Sequence, residues 1–252
     1  MNKLRVLDLF SGLGGFSLGL ERTGGFDPVA FCEIAPFPRS VLARHWPNVP
    51  IFDDIRNLTA ARLNAQGIYP NVIVGGFPCQ DISTSGSREG LNGERSGLWW
   101  EFARLIGEIR PRYVILENSP ELLDRWLGDI LGALASFGLH AEWHCIPASA
   151  VGAPHRRDRV WIIAYAPGER QPRQRGLIQS LNSTPDAYRE ASGFVRAVQG
   201  GSLPFMCGRH DGVSVRLAAD ELHALGNAVV PQIPELIGNA ILQTIASERE
   251  AA

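Results

Sequence analysis

The chain has 252 residues, 45% of them hydrophobic, and a net charge of −2 from 24 basic and 26 acidic side chains. That size and apolar content suit one large domain, or one domain with a small lobe, around a sizeable core. No apolar run is long enough to span a membrane; Met1–Arg5 has no signal-peptide layout; and four scattered cysteines without a CxxC pair argue against a disulfide framework or a zinc site, which makes a reducing cytoplasm the expected setting.

Leu4 to Phe10 is a compact apolar run that reads as a first strand. Ser11-Gly12-Leu13-Gly14-Gly15 follows as a glycine-rich turn, and Phe16, Leu18, Gly19 and Leu20 open a helix. Strand, glycine turn and helix together form a nucleotide-binding unit, because glycine lets the backbone approach a ligand closely. The spacing falls short of a full GxGxxG, so a dinucleotide fingerprint is poorly matched. Val29 to Cys32 is the second strand, with Glu33 at its end, where an acid either accepts both ribose hydroxyls or stays a surface carboxylate. A helix over Pro36–His45 leads to a short third strand closed by Asp53-Asp54-Ile55. Asp54 there can receive an adenine amino group, with Ile55 on the ring, or it can cap a helix over Asn57–Gln66.

Val72-Ile73-Val74 is a buried strand broken by Gly75-Gly76-Phe77-Pro78-Cys79-Gln80. A thiol at the end of a parallel strand lies where open α/β sheets place their ligands; the alternative is a buried cysteine filling space. The alternation of strands and helices up to this point predicts a doubly wound sheet. Asp81–Gly97 is a long polar loop, of the kind that is usually functional and can close over a substrate beside Cys79. Leu98–Ile109 is a helix, and its Trp99 and Trp100 read as core. Tyr113–Leu116 is the next strand, and Glu117 would emerge from it on the same sheet edge as Cys79, a plausible reaction pair.

Glu121–Phe137 reads as one amphipathic helix with Leu122, Trp126, Leu127, Ile130, Leu131 and Leu134 on one face. His140–Ile146 and Val160–Ala164 are further strands. Between them, His155, Arg157 and Arg159 would share one face of an extended chain. From His155 to Arg216 there are ten arginines against five acids, a basic segment suited to a polyanion or simply a solvated loop. Periodicity is lost over 167–215, which reads as a small loop-rich lobe. Gly226–Pro231 then precedes a helix with Ile233, Leu236, Ile237, Ala240, Ile241 and Ile245 at core spacing.

Taken in order, Asp8-Leu9-Phe10-Ser11-Gly12, Glu33, Asp54-Ile55, Pro78-Cys79-Gln80, Glu117-Asn118, the arginine block at 155–159 and Gly226-Asn227 resemble the DNA cytosine-C5 methyltransferases of bacteria and phages. The blocks span all but the 167–215 lobe. The resemblance implies an α/β fold with a doubly wound, mostly parallel, Rossmann-like sheet. Residues 1–166 would form the catalytic and cofactor domain, 167–215 a small target-recognition lobe, and 216–252 a return to the catalytic domain. The implied cofactor is S-adenosyl-L-methionine, with S-adenosyl-L-homocysteine as product and no metal. Asp8, Phe10, Gly12 and Gly14 would face it, Glu33 would hold the ribose, and Asp54 and Ile55 the adenine. Pro78 and Leu98 would line the same pocket, and Asn227 would border it and brace the Cys79 loop.

The family's chemistry implies that Cys79 adds to C6 of a flipped-out cytosine, that Glu117 engages the N3 edge, and that Arg157 and Arg159 hold phosphate and base near the thiol. Gln80, Ser83, Ser85 and Arg156 would contact DNA. Double-stranded DNA is the implied partner, with room for a cognate restriction enzyme and none for a membrane; the expectation is a cytoplasmic monomer in a bacterial or phage-infected cell. The chain departs from the family pattern at Ser119, where valine is usual, and at His155, where glutamine is usual. Its recognition lobe is also short, and Arg216 is the one candidate for the block before Gly226. Three rival readings are a cytosine methyltransferase acting on RNA, a catalytically silent DNA-binding relative, and an NAD-dependent oxidoreductase. Intact Cys79 and Glu117 argue against the second, and the incomplete glycine fingerprint against the third.

Overall fold

The computed structural model describes residues 2–78, 97–153, 157–167, 224 and 228–250. Among them, a seven-stranded sheet runs in the order β3-β2-β1-β4-β5-β7-β6. The strands β1 (Leu4–Leu9), β2 (Phe26–Cys32), β3 (Ile51–Phe52), β4 (Val72–Gly75) and β5 (Tyr113–Asn118) are parallel. The strands β6 (His140–Pro147) and β7 (Asp158–Tyr165) close the sheet antiparallel. The chain winds outward from β1 to β3, then returns to lay β4 on the other side of β1. This reversal opens a crevice at the carboxyl ends of β1 and β4, the position at which such sheets take ligands.

Helices cover both faces, which is why the central strands read as unbroken apolar runs. Alternate side chains of one strand enter different cores. Leu7, Leu9 and Ile73 pack with Trp99, Phe102 and Leu105 of α4 (Leu98–Ile109). Val6, Val72 and Val74 pack with Phe16 and Leu20 of α1 (Gly15–Arg22) and with Ile233, Ile237 and Ile241 of the C-terminal helix (Gln232–Glu250). The helix α2 (Pro36–His45) forms as expected. Trp99 is fully buried as expected, but Trp100, one helical step round, is 48% exposed.

The structure departs from the sequence reading at several places, each with a local cause. The strand β2 begins at Phe26, three residues before Val29, because a register shift beside Pro28 accommodates the missing ladder N–H. The helix expected over Asn57–Gln66 is a 3-10 turn, Ile55–Asn57, followed by α3 (Ala60–Asn64). Fully buried Leu58 is extended between them, and Thr59 caps α3 by accepting from Arg62 N. The single helix expected over 121–137 is two, α5 (Leu122–Arg125) and α6 (Leu127–Ser136). The backbone leaves the helical region at Trp126, and Leu122 and Ile130 are fully buried on either side of the break. Arg157 has a φ of 29°, so the extended alternation expected through His155, Arg157 and Arg159 is interrupted, and β7 starts at Asp158. The expected recognition lobe lies outside the described residues apart from Pro167, as does the 81–97 loop apart from Gly97.

The contact of α1 with the C-terminal segment is close because α1 is glycine-rich. A Cβ on Gly19 would meet the carbonyl oxygen of Pro231, and one on Gly15 the carbonyl oxygen of Val229. Gly19→Ala gains about 1 kcal/mol of helix propensity. It also forces a side chain against a backbone oxygen that cannot rotate away, an overpacking cost of about 1–3 kcal/mol. The clash should win: urea denaturation should show a lower midpoint at unchanged slope, and an unchanged or higher midpoint would contradict this packing.

Candidate active site

The first half of the site is the turn after β1. Phe10 takes a left-handed backbone (φ 52°), followed by Gly12 at 52° and Gly14 at 81°. A non-glycine residue held there costs on the order of 1–3 kcal/mol, which the surroundings must offset. The Phe10 ring stacks on Phe102 at 6.4 Å. Ser11 stitches the turn to the end of β2: its N–H donates to the Cys32 carbonyl at 3.2 Å, and its Oγ accepts from Cys32 N at 3.2 Å while donating to the Asp8 carbonyl at 2.6 Å. This brings Glu33 under the turn, where Oε2 accepts from Gly12 N and Oε1 from Ala35 N, both at 2.8 Å. A carboxylate offers about four acceptor sites, so each oxygen keeps capacity for a hydroxyl.

Asp8 differs from the expectation that it faces a ligand. Even-numbered positions of β1 point at the α1 core, so Asp8 is fully buried and its Oδ2 accepts from Ser17 Oγ at 2.7 Å. Its side chain supports the turn from beneath. Burial pushes its carboxyl from 3.8 up to about 7, the Ser17 bonds opposing and the Glu33 charge adding to the rise.

Asp54 realises its capping alternative, on the 3-10 turn. Oδ1 accepts from Arg56 N at 2.9 Å, and Arg56 Nε and Nη2 grip the carboxylate at 2.8–3.0 Å. The Arg56 hydrogen bonds hold the Asp54 carboxyl below its ordinary value. Ile55 behind it is buried. Asp54 and Glu33 follow neighbouring parallel strands, tied by Glu33 N donating to the Phe52 carbonyl at 2.9 Å.

The second half is built where β4 and β5 end side by side, Gly75 opposite Leu116. A Cβ on Gly76 would lie 2.7 Å from Glu117 Oε2 and 3.1 Å from the Glu117 carbonyl oxygen, so a side chain there would push the carboxylate away from its Arg159 partner. Asn118, 5% exposed, donates from Nδ2 to the Phe77 carbonyl at 3.2 Å. The turn Gly76-Phe77-Pro78 is thereby held against Glu117 and Asn118, and Cys79 is the next residue of the chain. The sequence reading gave a loop-bracing part to Asn227 and none to Asn118; the signal available was Asn118's place beside Glu117.

Glu117 Oε1 accepts from Arg159 Nε at 2.8 Å, the carboxylate side chain being 12% exposed. Antiparallel β7 makes this pair possible, since it sets Trp161 opposite Glu117 and Val160 opposite Asn118. Burial pushes the Glu117 carboxyl up, with Arg159 and Arg157 opposing. The Arg157 guanidinium is pushed down, by burial and then by the Arg159 charge. This shifted carboxyl lies beside the turn that leads to the thiol. Leu98 opens α4 and packs half-buried on the same core. Cys79, Gln80, Ser83, Ser85, Arg156 and Asn227 lie outside the described residues. Of the described thiols, Cys32 is buried and pushed up to about 12 by burial and then by the Glu33 charge, and so is inert; Cys145 is exposed on β6.

The sheet order and its crevice are those of Rossmann-like methyltransferases. The chain belongs to the C-5 cytosine-specific DNA methylase family, whose model matches residues 4–201. It is 34% identical over 169 residues to the type II methyltransferase M2.BsuMI of Bacillus subtilis, covering 64% of this chain and 42% of that protein. It is 36% identical over 188 residues to M.AluI of Cellulosimicrobium cellulans, covering 69% of this chain and 36% of the relative. The chain therefore spans less than half the length of these relatives. A crystal structure of a DNA modification methyltransferase encoded within an E. coli prophage matches with a TM-score of 0.56 at 28% identity, over 65% of this chain and 47% of that one. The Spodoptera frugiperda DNMT2 structure shares the fold at 20% identity and a TM-score of 0.58, over 69% of this chain and 53% of that one.

The buried Asp8 carboxyl has a consequence for stability. Between about pH 4 and pH 7 the unfolded chain releases this proton and the folded chain keeps it, so stability falls as pH rises through that window. A shift of this size is worth on the order of 4 kcal/mol. Asp8→Asn should flatten the decline in denaturation free energy between pH 4 and pH 7. An equally steep decline in the variant would show that Asp8 does not titrate as its burial requires.

Proposed function

We propose that this chain transfers a methyl group from S-adenosyl-L-methionine to C5 of cytosine in double-stranded DNA, releasing S-adenosyl-L-homocysteine. The observation that carries this reading is the Glu117–Arg159 pair lying against the Gly76–Pro78 turn that runs into Cys79. The turn after β1 fits the cofactor: Gly12 and Gly14 are left-handed, and Glu33 keeps acceptor capacity for two hydroxyls. Asp54 stands at the matching place after the third strand; its four contacts from Arg56 fill the usual acceptor sites of a carboxylate, so an adenine amino group would displace one donor of the exposed Arg56 side chain. Glu33 would hold the ribose, Asp54 and Ile55 the adenine, with Phe10, Gly12, Gly14, Pro78 and Leu98 around them and Asn227 bordering. When bound, the cofactor supplies an electrophilic methyl group.

The target base must leave the stack to reach the thiol. The Cys79 thiolate then forms a bond to C6, and electron density moves into the ring toward C5 and N3. Glu117 hydrogen-bonds the N3 edge and offsets the charge that develops there. Arg159 fixes the Glu117 carboxyl in place, and Arg157 and Arg159 add positive charge beside the base and its phosphate. Once C5 carries the methyl group, its proton is lost to a base, the Sγ–C6 bond breaks, and the aromatic ring is restored. The 155–216 segment, rich in arginine, is the proposed phosphate-contacting region, with 167–215 reading the target and 1–166 together with 216–252 carrying the chemistry. Gln80, Ser83, Ser85 and Arg156 would contact the DNA. The type II relatives suggest a cytoplasmic modification enzyme with a cognate restriction enzyme.

Incubation with labelled S-adenosyl-L-methionine and duplex DNA should place the label in 5-methylcytosine. Glu117→Gln should lower kcat by about 10²–10³ while leaving cofactor affinity unchanged. Label appearing in RNA but not in DNA would replace the substrate, and an unimpaired Glu117→Gln would remove Glu117 from the chemistry.

A further inference from the structure

Glu33 and Asp54 are held in different ways. Glu33 is fixed by backbone N–H groups of its own turns. Asp54 and Ile55 stand on a 3-10 turn of three residues beyond the end of β3, a piece too short to hold its own position. That turn is clamped from α4. Arg104 Nη2 donates to the carbonyls of Ile55 at 3.0 Å and Leu58 at 2.9 Å. The same guanidinium is aimed by Glu101, at 2.8 Å from Nε, and by Glu108, at 2.7 Å from Nη1. The other oxygen of Glu108 accepts from Ala60 N at 2.8 Å, an N–H at the open start of α3. Arg104 and Glu108 thus hold three backbone groups between Ile55 and Ala60. All three acidic and basic side chains are about two-thirds buried, and hydrogen bonds with an ionised partner are the stronger kind.

We propose that Arg104, aided by Glu108, is a positioning residue for adenine recognition: it sets where the Asp54 carboxylate and Ile55 meet the base. This rests on the cofactor reading above. A brace with a merely structural part would lower thermal stability when removed and leave the choice between bases intact. A positioning brace would change that choice, because the 6-amino group of adenine donates to Asp54, whereas a 6-oxo group in its place presents an acceptor to a carboxylate.

The test is calorimetric binding of S-adenosyl-L-homocysteine and of S-inosyl-L-homocysteine, its 6-oxo counterpart, to the full chain. The unmodified protein should prefer the adenosyl compound by at least tenfold. Arg104→Ala should reduce that preference about tenfold, mostly through weaker adenosyl binding. Arg104→Lys should fall between, since an ammonium cannot span two carbonyls and two carboxylates. In combination with Asp54→Ala, the Arg104→Ala loss should largely disappear, because both act on one contact. Should Arg104→Ala not fold, Glu108→Ala serves, with a smaller loss of preference expected. An undiminished preference in a folded Arg104→Ala or Glu108→Ala protein, or full additivity with Asp54→Ala, overturns the proposal. If the unmodified protein binds neither compound, the cofactor reading itself falls and the inference with it; if it binds both equally, the cofactor reading stands and the inference is overturned.

Discussion

A carboxylate buried at the end of β5 is the constraint around which the half of this molecule that leads to Cys79 is arranged. Glu117 is 12% exposed and would be costly there if unpaired. The antiparallel approach of β7 delivers Arg159 to it at 2.8 Å, so the two added strands do more than widen the sheet. The same carboxylate favours glycine at position 76, because a Cβ there would press on Oε2 and shift it. Asn118, the next residue, then fixes the Phe77 carbonyl. Sheet register, glycine and amide together set the Gly76–Pro78 turn, which leads to Cys79, beside a carboxyl whose charge burial disfavours and two arginines favour.

The other half obeys a different economy of forces. Around the β1 turn, recognition groups are oriented by backbone donors: Gly12 and Ala35 on Glu33, and Arg56 N on Asp54. Left-handed Phe10 and Gly14 shape the turn, with Gly14 set so close to the Trp46 ring that a Cβ would overlap it. Asp8 lies below, bonded to Ser17 of α1, and joins the turn to the helix that packs on the C-terminal segment. The strand order reverses between β1 and β4, so the turn after β1 and the turn after β4 lie at neighbouring strand ends.

Most of this frame was legible in the sequence, because unbroken apolar runs such as Val72–Val74 and glycine breaks such as Gly75-Gly76 carry their own physical meaning. The order of β1 to β5, the α4 span and the core face of the C-terminal helix follow from period and punctuation alone. What local pattern could not show depended on long-range partners. The helix expected from Asn57 gives way to a 3-10 turn whose carbonyls are claimed by Arg104, 46 and 49 positions away. The break at Trp126 is silent in a periodicity that continues across it. Asp8 reads as a ligand-facing acid by its motif, yet strand alternation turns it inward. The Glu117–Arg159 contact joins two blocks recognised separately, and only the register of β5 with β7 unites them.

The central claim is that Cys79 is the nucleophile beside Glu117. The most direct test uses duplex DNA in which the cytosines carry fluorine at C5, so that no knowledge of the target sequence is needed. Such a base can accept the thiolate and the methyl group but has no C5 proton to lose, so the Sγ–C6 bond cannot break. The account predicts a denaturation-resistant protein–DNA adduct that requires S-adenosyl-L-methionine, maps by mass spectrometry to Cys79, and vanishes in Cys79→Ser, since a serine hydroxyl is barely ionised near neutrality. An adduct that persists in Cys79→Ser, or that maps to Cys32, Cys145 or Cys207, would contradict it.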